Sequence, residues 1–169
     1  DIYLLNGMVK VILEEKIYDK DLLEESCIGF KEFEDSISQF SLDDIEKHTG
    51  VEENDIRLAA RLFAISGASS IYYAMGVTQH VFGTDNVVTL ANFAIICGKL
   101  GKNASGINPL RGQNNVQGAC DMGCLPGVLP GYGSIEDETA NRHFSTKWNC
   151  EIPTKSGKTL TEIISDAGK

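Results

Sequence analysis

Ser69-Ser-Ile-Tyr-Tyr-Ala-Met75, then Gly76-Val-Thr-Gln79, then a long apolar segment beginning at Asp85, decides the fold class. The Ile-Tyr-Tyr centre of the opening run is β-branched and aromatic, which suits a pleated, half-buried surface and predicts a strand over 69–75. Residues 76–83 read as a loop. Residues 85–100 read as a helix that is apolar nearly all round (Val87, Val88, Leu90, Ala91, Phe93, Ala94, Ile95, Ile96) and so deeply buried. Strand, loop and helix in that order make a β–loop–α unit, and the expected class is α/β. In open α/β sheets, ligands gather beyond the carboxyl ends of strands, where Thr78 and Gln79 fall. The plainer alternative is an ordinary βα turn in which these two side chains serve nearby backbone groups. The loop is not G-x-G-x-x-G, so it carries no dinucleotide fingerprint.

Working outward toward the N-terminus, residues 4–15, 19–26 and 30–40 read as amphipathic helices. Ser41 can cap a short helix through Lys47, which Gly50 stops. Residues 55–66 form a further helix with Ile56, Ala59, Ala60 and Phe63 on one face and Gly67 past its end. Fifteen of the 24 acidic residues lie between positions 14 and 55, as expected for solvated faces of these helices. None lies from 86 through 120, where Lys99, Lys102 and Arg111 sit, so an anionic ligand would meet less repulsion there.

The net charge of −9 argues against nucleic acid as a partner, since such domains carry a basic stripe. No apolar run approaches the ~20 residues of a membrane span. No start Met, basic n-region or cleavage site is present, so no signal peptide is visible, and the expected compartment is cytoplasmic. The 169 residues suffice for one domain, or for one and part of another. Five cysteines, an odd number, suggest reduced thiols rather than a disulfide framework.

Toward the C-terminus the texture changes. Nine of the 17 glycines fall within 98–133 together with Pro109, Pro126 and Pro130, which reads as a linker or a long irregular functional loop; a linker would be Ser/Gly-rich without Arg, Gln and Met at fixed places, which favours a loop wrapping a ligand. At its centre lies Asn108-Pro-Leu-Arg-Gly-Gln-Asn-Asn-Val-Gln-Gly-Ala-Cys-Asp-Met-Gly123, too rich in Gly, Asn and Gln to read as an ordinary helix or strand. Arg111 is its one cation, among neutral amides. It could tie the loop down by capping a helix or pairing with a carboxylate such as Asp121. It could equally grip a carboxylate or phosphate with its planar fork, while Gly112 lets the backbone approach closely. Cys120 and Cys124 form C-x3-C, half of a metal site at most, and Cys97 and Cys150 supply no second pair at metal spacing. His48 and His143 read as surface residues, and His80 as the edge of the ligand site beside Gln79. Two short helices are expected over 139–148 and 159–167.

Four segments together resemble the consecutive signatures of the molybdopterin oxidoreductases, in particular the formate dehydrogenase catalytic subunits. They are Met75-Gly-Val-Thr-Gln79, Asn92-Phe-Ala-Ile-Ile-Cys-Gly-Lys-Leu-Gly-Lys102, the run from Asn108 to Gly123, and Leu125-Pro-Gly-Val-Leu-Pro-Gly-Tyr132. Asp1-Ile-Tyr-Leu-Leu-Asn, Ile45-Glu-Lys-His-Thr-Gly-Val, Ile56-Arg-Leu-Ala-Ala-Arg and Thr161-Glu-Ile-Ile extend the likeness to both ends.

The resemblance implies an interior piece of a much larger enzyme. Residues 1–113 would form a Rossmann-like lobe, a three-layer α/β sheet with flanking helices. Residues 114–169 would form a long loop and the start of a neighbouring α/β lobe, with a break near Gln113. The activity implied is oxidation of formate to carbon dioxide. Its cofactors would be bis-molybdopterin guanine dinucleotide carrying Mo or W and a 4Fe-4S cluster, and its partners an iron–sulfur electron-transfer subunit and the remaining domains of the same polypeptide. Arg111 would orient formate. Met75, Gln79 and Gln113 would lie along the pterin, and Asn114, Asn115 and Gln117 follow in the same run. The family's metal-ligating Cys or selenocysteine, its His neighbour and its N-terminal cysteine cluster have no match here, so this stretch alone would neither hold the metal nor turn over formate. The other readings are another molybdopterin oxidoreductase such as a nitrate reductase, a noncatalytic molybdopterin-like scaffold subunit, and a standalone α/β module. Arg111 argues against the scaffold, which needs no substrate clamp.

Overall fold

A helix at the N-terminus organises the first of the two units into which the chain divides, Asp1–Leu110 and Arg111–Lys169. The structure, a computed structural model, describes residues 1–168. Where the sequence reading puts a break near Gln113, the division falls between Leu110 and Arg111.

In the first unit, helix α1 (Ile2–Glu14) buries Val9, Val11 and Ile12 completely. It packs on α3 (Phe30–Ser38), α4 (Leu42–Thr49), α5 (Glu53–Ile65) and α7 (Gly83–Ile96). Gly7 permits the close approach: a Cβ there would stand 3.0 Å from Ile45 and 3.4 Å from Ile56, both fully buried. Each such aliphatic side chain contributes about 1.5–3 kcal/mol of transfer free energy, and this apolar seam is the main stabilising feature of the unit.

The short helices form where their caps predict. Asp19 accepts from the Leu22 amide to start α2 (Lys20–Ser26), and Ser41 accepts from the Asp44 amide to start α4. Gly50, at φ 72, ends α4. On α5, Ile56 and Ala60 are buried and Phe63 half-buried, but Ala59 is exposed, so the buried stripe is narrower than expected.

β1 (Ser70–Tyr73) pairs in parallel with β2 (Gly106–Pro109), Ser70 opposite Gly106 and Tyr73 opposite Pro109. Between them run α6 (Met75–Thr78) and α7, a β–α–β crossover. The α/β expectation holds, and among the described residues this parallel sheet is two strands wide. Pro109 is accommodated because it closes its strand, and the next amide, of Leu110, donates to the Tyr73 carbonyl at 2.7 Å.

Three expectations are corrected here. Met75 leaves the strand: β1 ends at Tyr73, and Met75 joins residues 76–78 of the expected loop in one helical turn. α7 is not buried all round, since Leu90, Phe93, Ala94 and Ile96 face inward while Val88 is 51% exposed. The expected irregular stretch also contains a strand, β2, and a helix, α8 (Val116–Asp121). Sheet pairing overrides the poor strand propensity of Gly-Ile-Asn-Pro.

Two cations of the acid-free stretch are already engaged. Lys99 is only 4% exposed. Its Nζ donates to the carbonyl of Ala64 at 3.2 Å and to that of Ser66, where α5 ends. It therefore satisfies orphan carbonyls of a helix C-terminus, as a cation does best. Lys102 pairs with Asp19 at 3.1 Å, and its hydrogen bond, with that from the Leu22 amide, holds the Asp19 carboxyl below its usual range.

In the second unit, β3 (Val128–Leu129) and β4 (Gly133–Ser134) pair antiparallel across a 3-10 turn, Pro130–Tyr132. α9 (Glu138–Trp148) packs on both strands, with Leu129, Ile135 and Ile152 buried against Ala140 and Phe144. Asp137 caps α9, and Thr159 with Glu162 forms a capping box for α10 (Leu160–Asp166). Leu160, Ile163 and Ile164 of α10 remain exposed. No helix among the described residues is long and apolar enough to cross a membrane.

Candidate functional site

In the first unit the candidate residues sit at the carboxyl end of β1. The strand turns at Ala74 into α6, so Met75 opens that helical turn and Gln79 closes it. Both are exposed, and the Gln79 Nε2 donates to the Met75 Sδ at 3.3 Å. His80, also exposed, contacts the Gly76 carbonyl through Nε2 at 2.7 Å, so it is tied to its own turn. Thr78 lies exposed beside it.

The loop is braced by two residues that the sequence reading passed over. A Cβ on Gly83 would stand 2.0 Å from the Thr78 carbonyl oxygen, so only glycine fits where α7 begins. Asn86, 5% exposed, donates from Nδ2 to the Val77 carbonyl at 2.8 Å. A side-chain amide in the first turn of a largely apolar helix was the available signal.

In the second unit, Arg111 and Gln113 are exposed on the segment that leads into α8. Arg111 donates from Nη2 to the Gln117 Oε1 at 3.1 Å. It does not pair with Asp121, the expected carboxylate; Gln117, from the same run, takes its place. Asn115 is structural: at φ 55 it precedes α8, and its side chain lies where a Cβ on Gly118 would be, 2.4 Å away. The Asp121 carboxylate raises the pKa of the exposed Tyr132 phenol above its usual value. No pattern around Tyr132 in the sequence points to that effect.

The site residues therefore fall into two pairs. Met75 and Gln79 touch one another in the first unit, and Arg111 and Gln113 share a loop in the second. Among the described residues no group of three His, Cys, Asp or Glu side chains could hold a metal ion. All five cysteines are free, and burial pushes the Cys97 thiol up to about 12. The chemistry on offer is one guanidinium, neutral amides and a thioether, a set suited to an anionic or polar organic ligand rather than to a bare metal.

No protein-family model matches the chain. The F420-dependent formate dehydrogenase subunit alpha of Methanocaldococcus jannaschii is 40% identical over 169 residues, 100% of this chain and 25% of that protein. Formate dehydrogenase H of Escherichia coli is 41% identical over 164 residues, 96% of this chain and 23% of its own length. The assimilatory nitrate reductase catalytic subunit of Bacillus subtilis is 36% identical over 171 residues, 98% of this chain and 24% of its own. Among solved structures, acetylene hydratase from Pelobacter acetylenicus superposes with a TM-score of 0.59 at 30% identity, over 62% of this chain and 14% of that one. The chain spans about a quarter of the length of the curated relatives it matches. With homologues at 34–41% identity along nearly its whole length, the chain belongs to the molybdopterin oxidoreductase family.

Proposed function

We propose that this chain works as a segment of a molybdopterin-dependent formate dehydrogenase catalytic subunit. It would supply the substrate-orienting Arg111 and part of the pterin cradle. The observation that carries this reading is the state of Arg111: exposed, with one neutral side-chain partner at 3.1 Å. A fixed, charged fork of this kind can take both oxygens of a small carboxylate. Identity of 40–41% with two formate dehydrogenases supports formate as that carboxylate.

The residues present fit the cofactor's organic part. Gln79 and Gln113 offer amide donors and acceptors to the polar edge of a pterin, and Met75 offers a soft, adaptable surface. When bound, the pterin-held molybdenum or tungsten supplies the acceptor for the electron pair of formate. Arg111 holds the carboxylate and steadies its charge as the C–H bond breaks. The metal ligand, the 4Fe-4S site and the contacts to an iron–sulfur subunit belong to the remaining polypeptide in this reading, and the compartment is the cytoplasm.

A nitrate-reducing enzyme is the second reading, favoured by the 36% identity with the Bacillus subtilis nitrate reductase subunit. The test is steady-state turnover of formate and of nitrate by the full-length protein, with Arg111→Lys alongside. Lys is a point charge without the fork, so kcat/KM for formate should fall about 100-fold. Turnover of nitrate and not of formate would replace the reading with its rival. Near-normal formate turnover by Arg111→Lys would remove Arg111 from its role.

A further inference from the structure

The α6 turn is too short to hold itself. It has four residues, and closing a first helical turn fixes more backbone freedom than its few hydrogen bonds return. The ladder is slight. The Val77 and Thr78 amides share the Ala74 carbonyl at 3.1 and 3.4 Å, and the Gln79 amide donates to the Met75 carbonyl at 2.8 Å. A helix end also leaves carbonyls without intrahelical partners. Here two side chains take them. His80 Nε2 meets the Gly76 carbonyl at 2.7 Å, and Asn86 Nδ2 donates to the Val77 carbonyl at 2.8 Å. A carbonyl only accepts, so the His80 proton in this contact sits on Nε2.

The two side chains are anchored differently. His80 is exposed and belongs to the loop itself. Asn86 is 5% exposed and stands in the first turn of α7, whose Phe93, Ala94 and Ile96 are buried. Asn86 therefore ties the turn to an element fixed in the core, and α6 packs on α7 where Gly83 lets the backbones meet. Met75 and Gln79 lie four residues apart at the two ends of the turn, so closing it brings them to one side. Their contact, Gln79 Nε2 to Met75 Sδ at 3.3 Å, exists only while the turn is closed.

We infer that His80 and Asn86 are positioning residues for the cofactor: clamped on two consecutive carbonyls, they keep the α6 turn closed and so hold Met75 and Gln79 together as one ready-made contact surface for the pterin. This rests on the reading of Met75 and Gln79 as part of the pterin cradle. A surface already ordered binds without first ordering the loop, so the clamp acts on how long the cofactor stays. Neither residue has to touch the cofactor to do this.

The test uses the full-length protein with Asn86→Leu, His80→Phe and His80→Gln. Leu and Phe remove the donors, whereas Gln keeps an amide donor near the place of Nε2. In the cofactor-free protein, deuterium exchange of the peptide covering residues 74–83 reads how often the turn opens. In the loaded protein, guanine nucleotide appearing in the filtrate reads cofactor loss, and urea unfolding reads the stability of the fold. Asn86→Leu and His80→Phe each speed exchange and cofactor loss about three- to tenfold, the worth of one hydrogen bond. His80→Gln stays within about twofold of the parent, and His80→Phe, on the surface, leaves the unfolding midpoint unchanged. Unchanged exchange in both donor-removing variants overturns the clamp. Faster exchange with unchanged cofactor loss overturns its role toward the cofactor. Cofactor loss that follows a lowered unfolding midpoint and is not restored in His80→Gln means that the residues act only through folding, and it overturns the inference too. A parent protein that carries no pterin guanine dinucleotide removes the cradle reading itself, while the exchange arm still decides whether the clamp exists.

Discussion

The Arg111 guanidinium donates from Nη2 to the Gln117 Oε1 at 3.1 Å, and this neutral acceptor orients the cation without cancelling its charge. A carboxylate in the same place would hold the fork more firmly but would spend it. Gln117→Leu in the full-length enzyme leaves Arg111 without its side-chain tether. We expect formate KM to rise by roughly three- to tenfold, the worth of one hydrogen bond to a charged group near solvent. An unchanged KM would mean that the tether has no part in binding.

Gly83 and Thr78 set the shape of the loop that carries Met75 and Gln79. Gly83→Ala places a Cβ 2.0 Å from the Thr78 carbonyl oxygen, so the backbone must shift. The expected loss is about 1–3 kcal/mol in urea unfolding, as for other overpacked sites. An alanine variant of parental stability would show that the loop relaxes freely and does not hold its two side chains in place.

Lys99 separates structural from functional cations. Its ammonium serves the carbonyls of Ala64 and Ser66 inside the fold. Lys99→Met keeps the stem but leaves those carbonyls without their partner, at a cost of about 1–3 kcal/mol. The unfolding midpoint should drop while formate KM in the full-length enzyme stays at its parental value. A raised KM at unchanged stability would put Lys99 in the binding site after all.

The Asp19–Lys102 pair makes a pH prediction. The folded-state pKa of Asp19 is depressed, so its contribution to stability is complete above the unfolded value of 3.8 and is lost as pH falls through the folded value. Asp19→Asn can still cap α2 but cannot titrate. Stability measured from pH 7 downward should therefore fall less steeply in the variant below about pH 4. Parallel acid limbs would show that the pair contributes nothing in solution.

Thiol reactivity should follow burial. Cys124 and Cys150 are exposed, whereas Cys97 is buried with its pKa pushed up to about 12. Alkylation with iodoacetamide at neutral pH, followed by peptide mass spectrometry, should label Cys124 and Cys150 first. Cys97 should be labelled only on unfolding, because a buried neutral thiol is a poor nucleophile. Early labelling of Cys97 would contradict the packing of the α7 C-terminus.

Apart from α6, the helices of the first unit were legible because their signals are local. Ser41 and Gly50 bracket α4, and Asp19 starts α2, through side chains and backbone freedom that act within a few residues. The strand β1 was legible from Ile71, Tyr72 and Tyr73. β2 was not, because Gly-Ile-Asn-Pro becomes a strand only by pairing with β1 across 36 residues of sequence, Ser70 to Gly106. Lys99 misled for the same reason: its three donors meet carbonyls more than 30 residues away, at positions 64 and 66.

The site divides along the same line. The motifs around Met75–Gln79 and Arg111–Gln113 sufficed to name the family and the chemical types on offer, since residue identity and short spacing survive any packing. Which partner each side chain keeps was decided by the tertiary structure. Arg111 goes to Gln117, Asn86 to the Val77 carbonyl, and Gly83 against Thr78. Those choices depend on where α8 lies and on how α7 crosses the end of β1, distances that only the folded backbone sets.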